Sequence, residues 1–453
     1  MTDSAENLSP LPRQLGDGLL LRRSTPADAP ALGDFNARIH SDEGFDKPDD
    51  RLDAWTRDLL ERPHPTFGVG DYTLVEDTYS GKIVSSLNLI SQTWSYGGIP
   101  FGVGRPELVG TLPEYRNRGL VRAQFDEIHR WSAARGELLQ AITGIPYYYR
   151  LFGYEMTVTL GGGRSGFSPH VPELAEGQAE EFIIRPAVEA DLPFIGELYD
   201  RGCQRYPLAC VWTPELWRYE LDGKSEKNVN RYELHLIETT AGERVGFLAV
   251  SWFTWGDAFG LKRYELAPGF SWAQVTPAVM RFLRRAYDTH PWGAPGERKP
   301  FGMFHFGLGE DHPAYHVMPD HLPRYRAPYA WYIRIPDLPA FLRRVTPALE
   351  QRLANSGSAG HTGELRLTFY RDGLRLRFEQ GRLVAVEAWK PEPQGHSGEA
   401  AFPGLTFLQL LLGYRSLAEL KYAFPDCWTN SDATHALLEG LFPRQPSDIF
   451  GVS

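Results

Sequence analysis

The stretch Leu108–Trp131, LVGTLPEYRNRGLVRAQFDEIHRW, decides how this chain is read. An apolar strand ends at Val109–Thr111, and a short loop carries Arg116-Asn117-Arg118-Gly119. Leu120, Phe125 and Ile128 then lay an apolar face along an amphipathic helix. A glycine at a strand-to-helix junction lets the backbone approach a ligand closely. The first-turn N–H groups and the helix dipole there favour an anion. Arginines beside such a junction suit a diphosphate. Alone, the same letters also describe a solvated helix start, so a second signal is needed.

It comes about 25 residues on, in GIPYYYRLFGYEM (144–156), where Tyr149 stands four residues before Gly153-Tyr154. Together the two segments resemble the GNAT acetyltransferases, whose Q/R-x-x-G-x-G/A loop and later Y-x-x-x-G-F/Y pattern they repeat. Arg116-x-x-Gly119-x-Val121 departs only at its last position, and Tyr149-x-x-x-Gly153-Tyr154 matches throughout.

Outward from this core, the chain repeats itself. LRRSTPADAPAL (21–32) resembles IRPAVEADLPFI (184–195), with Arg22, Asp28 and Pro30 falling on Arg185, Asp191 and Pro193. YTLVEDTYSGKIVSSL (72–87) parallels ELHLIETTAGERVGFL (233–248), both strand–turn–strand patterns. The remainder has another grammar. A helix leads into ELRLTFYRDGLRLRFEQGRLVAVEAW (364–389), three strands turning at Asp372-Gly373 and Gln380-Gly381. A polar loop at 390–400 and helices near 405–424 and 432–441 follow. The expected fold is mixed α/β and α+β: a polar tail (1–17), one duplicated unit at 18–165, its copy at 168–335 after the Gly-rich linker LGGGRSGF (160–167), and a small α+β domain at 336–453. This layout resembles the Eis-like (enhanced intracellular survival) acetyltransferases, in which tandem GNAT units precede a sterol-carrier-like domain.

Composition narrows the classes. With 453 residues, about three domains are expected. Apolar residues make up 42% of the chain, enough for several cores. A net charge of −10 disfavours nucleic acid and anionic membrane as partners. Cys203, Cys210 and Cys427 have neither disulfide-scaffold nor zinc spacing, and the polar start is no signal peptide, so a reducing cytoplasm is expected. The richest apolar run, LTFLQLLLGY (405–414), is too short to span a bilayer. His305, His312, His316 and His321 crowd together without metal-ligand spacing and read as turn capping, so no metal is expected.

The resemblance implies an acetyl-CoA-dependent N-acetyltransferase. Val109, Gly110 and Thr111 would bond the pantetheine arm through the backbone. Arg116, Asn117, Arg118, Gly119, Leu120, Val121 and Arg122 would wrap the pyrophosphate, and Gly144 and Ile145 would line the thioester side. Tyr149 would be the general acid. The base would be the C-terminal carboxylate of Ser453. Glu107 is the runner-up, placed by strand alternation on the same side as Val109. In the second unit LKRYELAPGFSWAQV (261–275) lacks the arginine–glycine entry, so that copy is expected to have lost its cofactor site. The implied acceptor is a primary amine of a polycationic small molecule such as an aminoglycoside, or of a lysine, and a homo-oligomer such as a hexamer is implied. The other reading is a hydrophobic-ligand or lipid-binding protein using the C-terminal domain.

Overall fold

Alternating apolar residues in YTLVED and KIVSSLNLISQTWSY build the hairpin at the centre of the first sheet, Tyr72–Asp77 with Lys82–Tyr96. The computed structural model describes residues 10–251, 258–289, 300–392 and 397–453. Residues 1–9 of the expected tail and residues 393–396 of the expected polar loop lie outside them. Arg13–Gly16, read as tail, is instead an edge strand antiparallel to Leu19–Arg23.

The first sheet runs 13–16, 19–23, 72–77, 82–96, 99–111, 139–142, 329–334 and 155–160. All its pairs are antiparallel except Ile99–Thr111 with Leu139–Ile142. The second runs 324–326, 163–167, 303–306, 258–266, 244–251, 233–239 and 182–186, again with one parallel pair, 258–266 with 303–306. The third contains Gly363–Thr368, Gly373–Glu379 and Arg382–Trp389, the three strands expected there. The expected helix at 405–424 is broken into Thr406–Leu411 and Leu417–Ala423, with Gly413 left-handed between them. Phe407, Leu408, Leu410 and Leu411 are buried in the core.

The two copies are built alike at the residue level. Arg22 pairs with Asp28 at 2.7 Å and Glu76 at 2.8 Å, while Asp28 accepts from the Thr25 backbone. Arg185 pairs with Asp191 at 2.7 Å and Glu238 at 2.8 Å, while Asp191 accepts from the Val188 backbone. Each trio fastens the strand-to-helix turn. Being partly exposed, it contributes geometry more than stability.

The two copies also exchange strands. Tyr329–Arg334 inserts between Leu139–Ile142 and Glu155–Leu160 in the first sheet. The segment read as a linker becomes the strand Gly163–Phe167 of the second sheet. Glycine is required at that crossing: a Cβ on Gly163 would lie 2.0 Å from the Phe306 carbonyl oxygen. Leu208–Cys210 further pairs with Trp94–Tyr96. One apolar cluster consequently runs from Trp94 and Phe101 through Trp217 and Phe247 to Phe341 and Leu365, joining all three sheets.

Candidate active site

The long strand Ile99–Thr111 positions the site through two irregularities. It pairs in parallel with Leu139–Ile142 only at Val103 and Gly104, and beyond that point the two strands diverge. Its pairing to Lys82–Tyr96 also slips by one residue, between Ser86 opposite Gly110 and Asn88 opposite Glu107. Leu108, at φ +52°, absorbs the slip as a β-bulge. The bulge frees backbone groups at Leu108–Val109 from the ladder, beside the gap between the strands.

The bulge also corrects the alternation used to place Glu107. With one extra residue in the strand, Glu107 shares a face with Gly110, where an added Cβ would meet Ile39 and Phe35. Val109 lies on the other face, packed with the cluster of Phe125 and Tyr149. Glu107 accepts from Arg105 Nε at 2.7 Å.

At the strand's end, Asn117 (φ +61°) and Gly119 (φ +75°) turn the chain into the helix Leu120–Ala134. No side chain caps this helix, and its first backbone bond runs from the Ala123 N–H to the Gly119 carbonyl. The amides of Leu120, Val121 and Arg122 therefore carry no helical partner. Phe125, Ile128 and Trp131 anchor the helix in the core, and Gln124 donates to Ser85 Oγ at 2.7 Å beneath the strand end. Arg122 lies 5.0 Å over the Phe152 ring, and Arg116 Nε donates to the Thr111 carbonyl at 3.3 Å.

These parts enclose a cleft of about 550 Å³. Of the residues singled out from sequence, Val109, Gly110, Thr111, Arg116, Asn117, Gly119, Leu120, Val121, Arg122, Ile145 and Tyr149 line it. Arg118 instead lies 5.0 Å over Tyr115. Gly144 sits behind Tyr149, where an added Cβ would be 3.2 Å from its hydroxyl. Tyr149 is carried on the turn Tyr148–Phe152 between left-handed Tyr147 and Gly153, and its ring is ringed by Phe125, Tyr148, Tyr154 and Tyr332. Burial, then the Glu107 carboxylate, holds its hydroxyl far above the ordinary phenol range, so it stays a protonated donor.

Ser453 does not line the cleft. It is buried on the Glu107 side, where Arg105 Nη1 donates to its hydroxyl at 2.9 Å and to the Val452 carbonyl at 2.6 Å. His40, which no sequence pattern marked, does line the cleft. Burial holds it neutral, its pKa pushed down to about 4 despite a bond to the Leu108 backbone. Three of the four crowded histidines are bonded to separate partners: His305 bonds Ser165 at 2.9 Å, His312 bonds the Tyr264 carbonyl at 3.0 Å, and His316 bonds Asp311 at 2.5 Å.

Splayed parallel strands, a bulge, an uncapped arginine-flanked helix start and a buried tyrosine define an acyl-transfer class of site. Residues 36–157, which carry the cleft, match the acetyltransferase (GNAT) domain family. No curated protein matches the chain significantly. Among solved structures, a GCN5-related N-acetyltransferase from Kribbella flavida is similar at 17% identity and TM-score 0.64, covering 96% of this chain and 98% of that one. Eis1 from Mycobacterium abscessus is similar at 14% identity and TM-score 0.58, covering 94% and 98%. N-myristoyltransferase from Saccharomyces cerevisiae, with bound myristoyl-CoA, is similar at 14% identity and TM-score 0.50, covering 74% and 83%. These likenesses agree with tandem GNAT-like units in one mixed α/β fold.

Proposed function

We propose that this protein is an Eis-like enzyme that moves the acetyl group of acetyl-CoA to a primary amine of a polycationic small molecule, aminoglycoside-like, or of a lysine. The observation that carries the reading is the meeting, in one cleft, of the uncapped helix start at Leu120 with the protonated, buried Tyr149.

Acetyl-CoA fits the residues present. The amides of Leu120–Arg122, with Arg116 and Arg122, offer donors to a pyrophosphate, and the strand end Val109–Thr111 offers backbone bonds to a pantetheine arm. Bound there, acetyl-CoA supplies an activated thioester. Freed backbone groups at the bulge polarise its carbonyl. An alkylammonium, with pKa near ~10.4, must lose a proton before its nitrogen can attack. In this reading the Ser453 carboxylate takes that proton, directly or through water, on the face of the strand that also carries Glu107. Tyr149 protonates the departing sulfur, whose parent thiol has a pKa near ~8.5. The second unit retains the fold without the arginine–glycine entry and binds no acetyl-CoA; the C-terminal domain is the sterol-carrier-like one, and a homo-oligomer forms in the cytoplasm.

Calorimetry with acetyl-CoA, followed by thiol release across a panel of polyamines, aminoglycosides and lysine peptides, tests the reading. Saturable binding at one site per chain and amine-dependent thiol release are expected. Absence of acetyl-CoA binding overturns it.

A further inference from the structure

Beside the strand Ala258–Leu266 of the second unit a hollow of about 10 Å³ lies among Arg263, Tyr264, His312 and Asp448, and a pocket of about 170 Å³ lies at the turn after the strand, against Leu266, Ala267 and Trp272. The internal repeat aligns Asn88 with Ala249, and the residues opposite these two across the sheets are Glu107 and Arg263. Where the first unit presents a carboxylate, the second presents a buried guanidinium. That guanidinium is ion-paired with Asp448 and lies 4.7 Å over the Phe450 ring.

Phe450 is held on its other sides by the same unit. Trp212 stacks on it at 4.7 Å and 17°, and the Trp212 Nε1 donates to the Phe450 carbonyl at 2.7 Å. Tyr232 and Tyr199 complete its surroundings. Two residues on, the first unit takes over. Arg105 Nη1 and Gln92 Nε2 each donate to the Val452 carbonyl at 2.6 Å, and Arg105 also reaches the Ser453 hydroxyl and Glu107. Between the two grips stands Gly451, where a Cβ would lie only 3.2 Å from Arg105 Nη1.

We infer that the second unit, through Arg263, and the first, through Arg105, together clamp the chain's last residues against the bulged strand of the first, with Arg263 and Arg105 as positioning residues. A buried guanidinium is stabilised only when paired, so the Arg263–Asp448 contact fixes where residue 448 sits along the strand. The stacked Phe450 then sets direction, and Arg105 sets the height of Val452 and Ser453 beside Glu107. The clamp itself stands on these contacts; its link to turnover rests on the reading of Ser453 as base.

The test treats the full chain with a carboxypeptidase and follows intact mass. Wild type should retain Val452 and Ser453, whereas Arg263→Met and Asp448→Asn should each release them at least about tenfold faster. Asp448→Asn conserves shape and decides the matter if Arg263→Met fails to fold by circular dichroism. Release at the wild-type rate in folded Asp448→Asn overturns the clamp. In the kinetic arm, Asp448→Asn and Arg105→Met should lower turnover about tenfold with acetyl-CoA Kd within about twofold of wild type, and Arg105→Lys should recover part of it. Faster tail release with undiminished turnover upholds the clamp and removes Ser453 from the chemistry. Should wild type transfer no acetyl group at all, the proposed function fails while the proteolysis still decides the clamp.

Discussion

At the scale of single residues, Tyr149 and Glu107 show what letters can and cannot convey. The spacing of Tyr149 from Gly153-Tyr154 distinguished it from Tyr147 and Tyr148, and the fold puts it in the cleft, its hydroxyl against Gly144. Tyr149→Phe removes the proton donor and little packing. Turnover should fall on the order of 10²-fold while acetyl-CoA Kd holds, by steady-state kinetics and calorimetry; equal turnover would contradict the acid role. Glu107 was placed by alternation on the Val109 side, and the bulge at Leu108 moved it to the other face. A bulge depends on the partner strand's register, which no local pattern carries. His40 went unmarked for a related reason. It ends the helix Ala29–Ile39 and meets Leu108 only across the fold.

The element that most constrains function is the start of the helix Leu120–Ala134. Its apolar spacing and its glycine were legible from sequence because both act locally. Gly119 has φ +75° and open space around its Cβ position, so its requirement is conformational rather than steric. Gly119→Ala should strain the turn by about 1–2 kcal/mol. Thermal unfolding should show a lowered Tm, and calorimetry an acetyl-CoA Kd weakened on the order of tenfold as the Leu120–Arg122 amides shift. An unchanged Kd would mean that this helix start does not hold the cofactor. The arginine–carboxylate trios around Arg22 and Arg185 were half legible: the repeat showed Arg and Asp, and the sheet added Glu76 and Glu238.

At the scale of the whole molecule, the chain ties its units together by exchanged strands and by its own end. Fusing three residues after Ser453 should therefore unseat the terminus and lower turnover at least about tenfold, with acetyl-CoA affinity kept. Glu107→Gln should cost less than the fusion, and the reverse ranking would make Glu107 the base. Stability should also depend on pH through buried neutral histidines. Burial pushes His40 and His305 down to about 4, and His64 and His129 down to about 3, from an ordinary 6.5. Below pH 6.5 the unfolded chain takes up protons that the folded chain refuses. Their contribution is thus present in full above about pH 6.5 and is lost as pH falls toward 4 for His40 and His305 and toward 3 for His64 and His129. On the order of 1–2 kcal/mol per histidine should be gone by pH 5, read as a falling urea midpoint between pH 7 and 5; a flat midpoint would contradict it. What sequence alone determined was local: the arginine–glycine helix start, the tyrosine spacing, the repeated strand-to-helix turns and the three-strand C-terminal sheet. Each rests on periodicity, a backbone angle or a short spacing. Tertiary structure alone decided the bulge register, the strand exchange between the copies and the burial of Ile449–Ser453 between two units. These depend on pairings between residues far apart in the chain, where packing and hydrogen-bond register, not local preference, select the partner.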